Sequence, residues 1–134
     1  METIFDIQNG VLKSCQVKEK EITIPAEVTT IAFSVFKSCE ILEKVTILGP
    51  ADIEAEAFWG CKNLKEVYLA DGVKSIGNEC FAYCEKLEKL YIPESVTKIG
   101  WNIACMNDSS YRAPSFYCHR QGIGPEWNKH WNLT

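Results

Sequence analysis

Apolar side chains recur along this chain in columns, not in one amphipathic stripe. Phe36, Phe58 and Phe81 stand 22 and 23 residues apart. Cys39, Cys61 and Cys84 keep the same steps, and so do Leu42, Leu64 and Leu87. Ahead of the phenylalanines runs a column of Ile31, Ile53, Ile76 and Ile99. Before it come Val28, Val73 and Val96, with Ala51 holding that place in a coil one residue shorter. Two more columns are Ile22, Val45, Val67, Leu90 and Ile24, Ile47, Leu69, Ile92. Self-similarity at a period of this length is the mark of a repeat architecture.

Each repeat reads as a coil. Leu87-Glu88-Lys89-Leu90-Tyr91-Ile92 ends in apolar–polar alternation, the period of a strand with one buried face. Pro25 and Pro93 follow two such strands and close them, because proline has no N–H for a ladder. Val96-Thr97-Lys98-Ile99 predicts a second, shorter extended piece at a bend. Phe58, Cys61 and Leu64 then recur at steps of three, which predicts a single helical or 3-10 turn. One coil cannot bury its own apolar side, but stacked coils can, each strand pairing in parallel with its equivalent about 4.8 Å away. Every buried Leu, Ile, Val or Phe then contributes roughly 1.5–3 kcal/mol.

The charges support the same register. The residues at the start of each strand are Lys20-Glu21, Glu43-Lys44, Lys65-Glu66 and Glu88-Lys89, and their order inverts at every coil. Stacking sets opposite charges side by side in both columns, whereas a slip of one coil would set like charges together. These pairs control register and solubility; single exposed pairs are worth only about 0–1 kcal/mol.

A stack leaves an open core at each end. Phe5-Asp6-Ile7-Gln8, Asn9-Gly10 and Val11-Leu12-Lys13 predict a hairpin with a type I′ turn, Ile7 and Leu12 on one side and Asp6 paired with Lys13. At the other end the repeat decays: Ala104 replaces Phe and Asn107 replaces Cys. Ser115 to Cys118 reads as a last strand, and Trp127 and Trp131 lie four apart, on one face of a helical turn. The expected layout is one domain: 1–19 an N-terminal hairpin cap, 20–106 the repeats, 107–134 a C-terminal cap.

Composition narrows the function classes. The chain has 134 residues and a net charge of −4, so it carries no basic field for nucleic acid. No run approaches the roughly 20 apolar residues of a membrane span. Seven cysteines cannot all pair within one chain, and METIFDIQNG has neither the basic nor the apolar segment of a secretory signal. The expectation is free thiols in a reducing, cytoplasmic location, with the cell surface as the alternative.

The repeat columns and the opening Phe5-Asp6-Ile7-Gln8-Asn9-Gly10-Val11-Leu12 resemble the BspA-like leucine-rich repeats of bacterial and protist surface proteins. The pattern of that family is matched by Leu87 to Ile99 at one point and by Ile53 to Leu64 at another. The tail, Phe116-Tyr117-Cys118-His119 through Pro125, Trp127, Trp131 and Asn132, is similar to a closing unit seen after such repeats. The resemblance implies an α/β-type leucine-rich repeat solenoid: a right-handed stack of about four coils, with parallel β-strands, short helical or 3-10 turns, and caps at both ends. It also implies adhesion or protein binding, and it carries over no catalytic residue.

Chemistry-bearing residues are few. The Cys39/Cys61/Cys84 column is read as a buried small-residue ladder, since a structural zinc site needs four close ligands. Cys118 and His119 are adjacent on a strand, pointing to opposite faces, and so make a poor ligand or nucleophile–base pair. His130, between Trp127 and Trp131, is read as a cap residue at the solvent edge. No phosphate loop and no G-x-S-x-G occurs. The expectation is therefore no enzyme, no cofactor and no metal. Thr23, Thr46, Tyr68 and Tyr91 occupy one outward strand column, and Trp59 follows Phe58 where other coils have Lys37 and Ala82. Thr46, Tyr68, Tyr91 and an exposed Trp59 are the candidate partner-binding residues, because Tyr and Trp are enriched at binding hot spots. Tyrosine stacking that merely stabilises the sheet is an equally good reading. The partner class expected is a protein or peptide, with a carbohydrate as the alternative and self-association left open.

Overall fold

The computed structural model describes residues 2–104 and the strand Ser115–Cys118. Among the described residues eleven short strands run in the order β1 Ile4–Gln8, β2 Val11–Gln16, β3 Glu21–Ile24, β4 Thr30–Ile31, β5 Lys44–Ile47, β6 Asp52–Ile53, β7 Glu66–Leu69, β8 Ser75–Ile76, β9 Lys89–Ile92, β10 Lys98–Ile99 and β11 Ser115–Cys118. They form two sheets. One has the order β11-β9-β7-β5-β3, and its strands pair in parallel. The other has the order β1-β2-β4-β6-β8-β10 and is parallel apart from the β1–β2 hairpin. Each coil gives a four-residue strand to the first sheet and a two-residue strand to the second. The chain is thus a β-solenoid of about four coils.

Register follows the apolar columns. Ile22 pairs with Val45 and Val45 with Val67, while Ile24 pairs with Ile47 and Ile47 with Leu69. Ile31, Ile53 and Ile76 align in the second sheet. All of these side chains point into one continuous core, and no polar side chain is buried among the described residues. The phenylalanines stack down its middle, with ring centroids 4.8 Å apart for Phe36–Phe58 and 5.3 Å for Phe58–Phe81. Such ladders arise because equivalent side chains lie one coil apart with nothing between them.

The cysteine column has a defined task. The Cys61 thiol donates to the Phe36 carbonyl at 3.1 Å, and the Cys84 thiol to the Phe58 carbonyl at 3.2 Å. A small side chain with a weak donor thereby closes the corner of two coils on the coil before, whereas Cys39 is only partly buried.

The arcs between sheets differ from the sequence expectation of a helical or 3-10 turn: no helix occurs among the described residues. The reason lies in where the N–H groups go. Within the arcs, Trp59 donates back to Glu56 and Cys61 to Phe58, whereas Phe58 donates to Cys80 and Gly60 to Ala82 in the next coil. Alternate donors are committed to the neighbouring coil, so no internal ladder can propagate. Left-handed residues at Ser34, Ser38, Glu56, Gly60, Glu79 and Tyr83 turn the chain between these bonds.

At the N-terminal end the hairpin forms around Asn9 and Gly10, whose φ angles of 52° and 80° suit a type I′ turn. Ile7 faces Leu12 as expected. Asp6 does not pair with Lys13; a register shift between Asp6 and Ile7 moves it opposite Ser14, whose hydroxyl donates to its carboxylate at 3.4 Å. Leu12 is fully buried, and Phe5, Ile7, Cys15 and Val17 pack partly buried against the core. At the other end β11 adds a rung beside β9, Tyr117 in register with Tyr91. Trp127, Trp131, His119, His130 and Cys105 lie outside the described residues.

Candidate functional site

Outward positions on the five-stranded sheet are fixed by the inward ones, since side chains alternate along a strand. With Val45, Ile47, Val67 and Leu69 buried, Thr46 and Tyr68 must emerge on the opposite face, as Tyr91 does between Leu90 and Ile92. Backbone register places Thr23, Thr46, Tyr68 and Tyr91 side by side across four strands. Three of the four candidate residues, Thr46, Tyr68 and Tyr91, are therefore brought together.

The tyrosine rings stack, with centroids 4.7 Å apart and planes 20° from parallel. On the side away from Tyr91, the Lys44 ammonium lies 5.1 Å from the Tyr68 ring centroid. Both faces of Tyr68 are thus engaged, and its ring edge and hydroxyl are what it offers outward. Partial burial of the phenol, and then the neighbouring Glu66 carboxylate, hold its pKa above the ordinary 10.0. It is a neutral hydroxyl throughout the physiological range. The charged column beside it is paired: Glu43 bridges Lys20 at 3.6 Å and Lys65 at 3.8 Å, and Glu66 meets Lys89 at 3.6 Å. These are the inverted charges of the sequence, and they leave the tyrosine strip with a matched border.

Trp59 does not join this group. It lies in the arc between β6 and β7 and is half-buried, not exposed as expected. The Lys37 ammonium sits 4.8 Å from its ring centroid and Tyr83 packs against it at 5.1 Å, tilted by 57°. Lys37 is itself tied to Glu56 at 3.0 Å. The repeat spacing marks the position after Phe58 as outward, but carries no sign that Lys37, one coil back, folds over the ring.

Two large aromatic side chains are more exposed than any candidate: Phe33 at 57% and Trp101 at 55%. They occupy one column, Phe33, Ala55, Asn78, Trp101, two residues after the isoleucine column. The repeat columns contain this one too, but nothing in the sequence marks its position as outward.

The described cysteines make no reactive site. Cys15, Cys39, Cys61, Cys80 and Cys84 are free. Burial pushes the Cys15 thiol up to about 11 and raises Cys39, Cys80 and Cys84 as well. Among the described residues no group of three or more His, Cys, Asp or Glu could hold a metal ion. No helix there is long and apolar enough to cross a membrane.

Comparison with known proteins agrees with this geometry. A family model described as BspA type leucine rich repeat region matches residues 2–112 in six copies. A leucine rich cell surface protein from Faecalibacterium prausnitzii is 24% identical, with a TM-score of 0.53, over 87% of this chain and 40% of its own. A leucine rich repeat protein from T. pallidum is 18% identical, with a TM-score of 0.51, over 75% and 62%. A leucine-rich repeat protein from Bacteroides ovatus is 29% identical, with a TM-score of 0.49, over 74% and 32%. The chain spans from 32% to 62% of the length of these solved relatives. No curated protein matches it.

Proposed function

This chain belongs to the BspA-type leucine-rich repeat family, and from that premise we propose that it is a non-catalytic interaction module whose five-stranded sheet receives a protein or peptide partner on its outer face. The observation that carries the reading is the stacked Tyr68–Tyr91 pair, raised on the outer face of a rigid parallel sheet. Two preorganised rings give a partner apolar area and hydroxyl groups at small cost in side-chain entropy. Thr46 and Thr23 extend the strip with smaller hydroxyls.

A carbohydrate ligand is the alternative, and the relative from F. prausnitzii bears the description of a cell surface protein. A sugar ring, however, stacks on a free aromatic face, and Tyr68 has Lys44 on one side and Tyr91 on the other. That arrangement favours a partner contacting ring edges and hydroxyls, as a peptide does. The free thiols support a reducing, cytoplasmic location, with display at the surface as the second reading.

The test is capture of a partner from source-cell lysate by the full chain and by two double variants. Tyr68→Ala with Tyr91→Ala is expected to weaken capture by about 1–4 kcal/mol, the range of hot-spot aromatics. Tyr68→Phe with Tyr91→Phe keeps the stack and separates the loss of hydroxyls from the loss of rings. If the alanine pair captures the same partner as well as the parent does, the sheet face is not the binding surface.

A further inference from the structure

The column Phe33, Ala55, Asn78, Trp101 turns a second face of the stack outward, following the six-stranded sheet. Its register is set by inter-coil bonds: Ser34 N–H to the Ala55 carbonyl, Glu56 N–H to that of Asn78, and Glu79 N–H to that of Trp101. Two exposed aromatics therefore stand three coils apart, with an alanine and an asparagine as the floor between them. The floor is kept low on its flank. A Cβ on Gly77 would lie 2.5 Å from the Ala55 nitrogen, and one on Gly100 would lie 2.5 Å from the Asn78 nitrogen, so neither position carries a side chain. The Asn78 carboxamide accepts the Trp101 N–H at 3.0 Å and fixes the far wall.

We propose that this notch is a second binding surface, taken by an extended peptide that carries two cationic side chains four residues apart. Dimensions give the spacing. Three coil steps of about 4.8 Å separate Phe33 from Trp101 by about 14 Å. Four residues of extended chain at about 3.4 Å each cover the same distance. Residues four apart on an extended segment also point the same way, so one cation meets each ring while the small floor admits the backbone. Charge gives the sign. Glu54, Glu56 and Glu79 flank the floor residues. Glu56 is paired with Lys37, while Glu54 and Glu79 form no ion pair among the described residues. Two uncompensated carboxylates between two exposed rings suit arginine or lysine, which binds carboxylates and aromatic faces alike. This surface does not depend on the tyrosine face and is tested separately from it.

The probes are two labelled octapeptides of serine and glycine, each holding two arginines, at i and i+4 in one and at i and i+1 in the other. Binding to the full chain is read by fluorescence anisotropy at low and physiological salt. The i, i+4 peptide is expected to bind about tenfold tighter, since only it can reach both rings. Phe33→Ala with Trp101→Ala removes that preference, and Glu54→Lys with Glu79→Lys abolishes binding of both peptides. If the aromatic double variant fails to fold, the charge-reversed pair tests the proposal by itself, and peptide binding that persists there overturns it. Tyr68→Ala with Tyr91→Ala leaves the preference intact. Equal binding of the two peptides, a preference that survives loss of both rings, or a neutral peptide or gluco-oligosaccharide binding as tightly, overturns the proposal as well.

Discussion

Phe58 is the side chain on which the stacking argument can be tested most directly. It is fully buried, and among the described residues it alone of the three phenylalanines has a ring on both sides, at 4.8 Å and 5.3 Å. Truncating a buried Phe to Ala costs about 3–5 kcal/mol through lost transfer energy and the cavity left behind. Each stacked ring pair adds about 0.5–1.5 kcal/mol beyond area burial. Phe58→Ala loses two such pairs, whereas Phe36→Ala and Phe81→Ala lose one each. Phe58→Ala should therefore be the most destabilising of the three by about 1 kcal/mol, near the top of the range. Urea denaturation followed by far-ultraviolet circular dichroism gives the three values. If the alanine variant does not fold, Phe58→Leu against Phe36→Leu repeats the comparison at smaller cost. The quasi-one-dimensional build adds a sharper condition. Phe36 and Phe58 stack directly, so their double variant should depart from additivity by about 0.5 kcal/mol or more. A Phe58 variant no worse than its neighbours, or strict additivity of Phe36 with Phe58, would refute the ladder as an energetic unit.

Two further outcomes follow from the same packing. Gly77→Ala places a methyl 2.5 Å from the Ala55 nitrogen and 2.6 Å from the Glu54 carbonyl carbon, so it should cost about 1–3 kcal/mol by forcing two coils apart, measurable as a lowered urea midpoint. The thiols of Cys61, Cys80 and Cys84 should not react with a thiol reagent until the protein is unfolded, since they are buried. Cys15 is raised from 9.0 to about 11 in the folded chain, so the folded state holds its proton more tightly than the unfolded state does. The stability this contributes is complete below about pH 9 and is lost as pH rises toward 11. A urea midpoint that rises across this interval would contradict the assignment.

Much of this fold was legible in the chain because its core positions repeat. A buried column at a step of 22 or 23 residues favours one register, since a slip of one residue sends Val45 and Ile47 to solvent and a slip of one coil sets Glu43 against Glu88. The Asn9-Gly10 turn and the outward alternation of Thr46, Tyr68 and Tyr91 are equally local: one follows from backbone preference and the other from the two-residue period of a strand. What the arcs do is not local. Steps of three in Phe58, Cys61 and Leu64 fit a helical turn as well as the observed series of bends, and only the carbonyls of the next coil decided between them. The same holds for side chains that cross between coils. Asp6 found Ser14 through a register shift, and Trp59 was covered by Lys37 from one coil back. Phe33 and Trp101 stand in one column of the repeat, yet their exposure depends on how each arc turns after its isoleucine. Periodicity determines which residues must be buried together; the direction of every other side chain waits on a neighbour that only the stacked structure supplies.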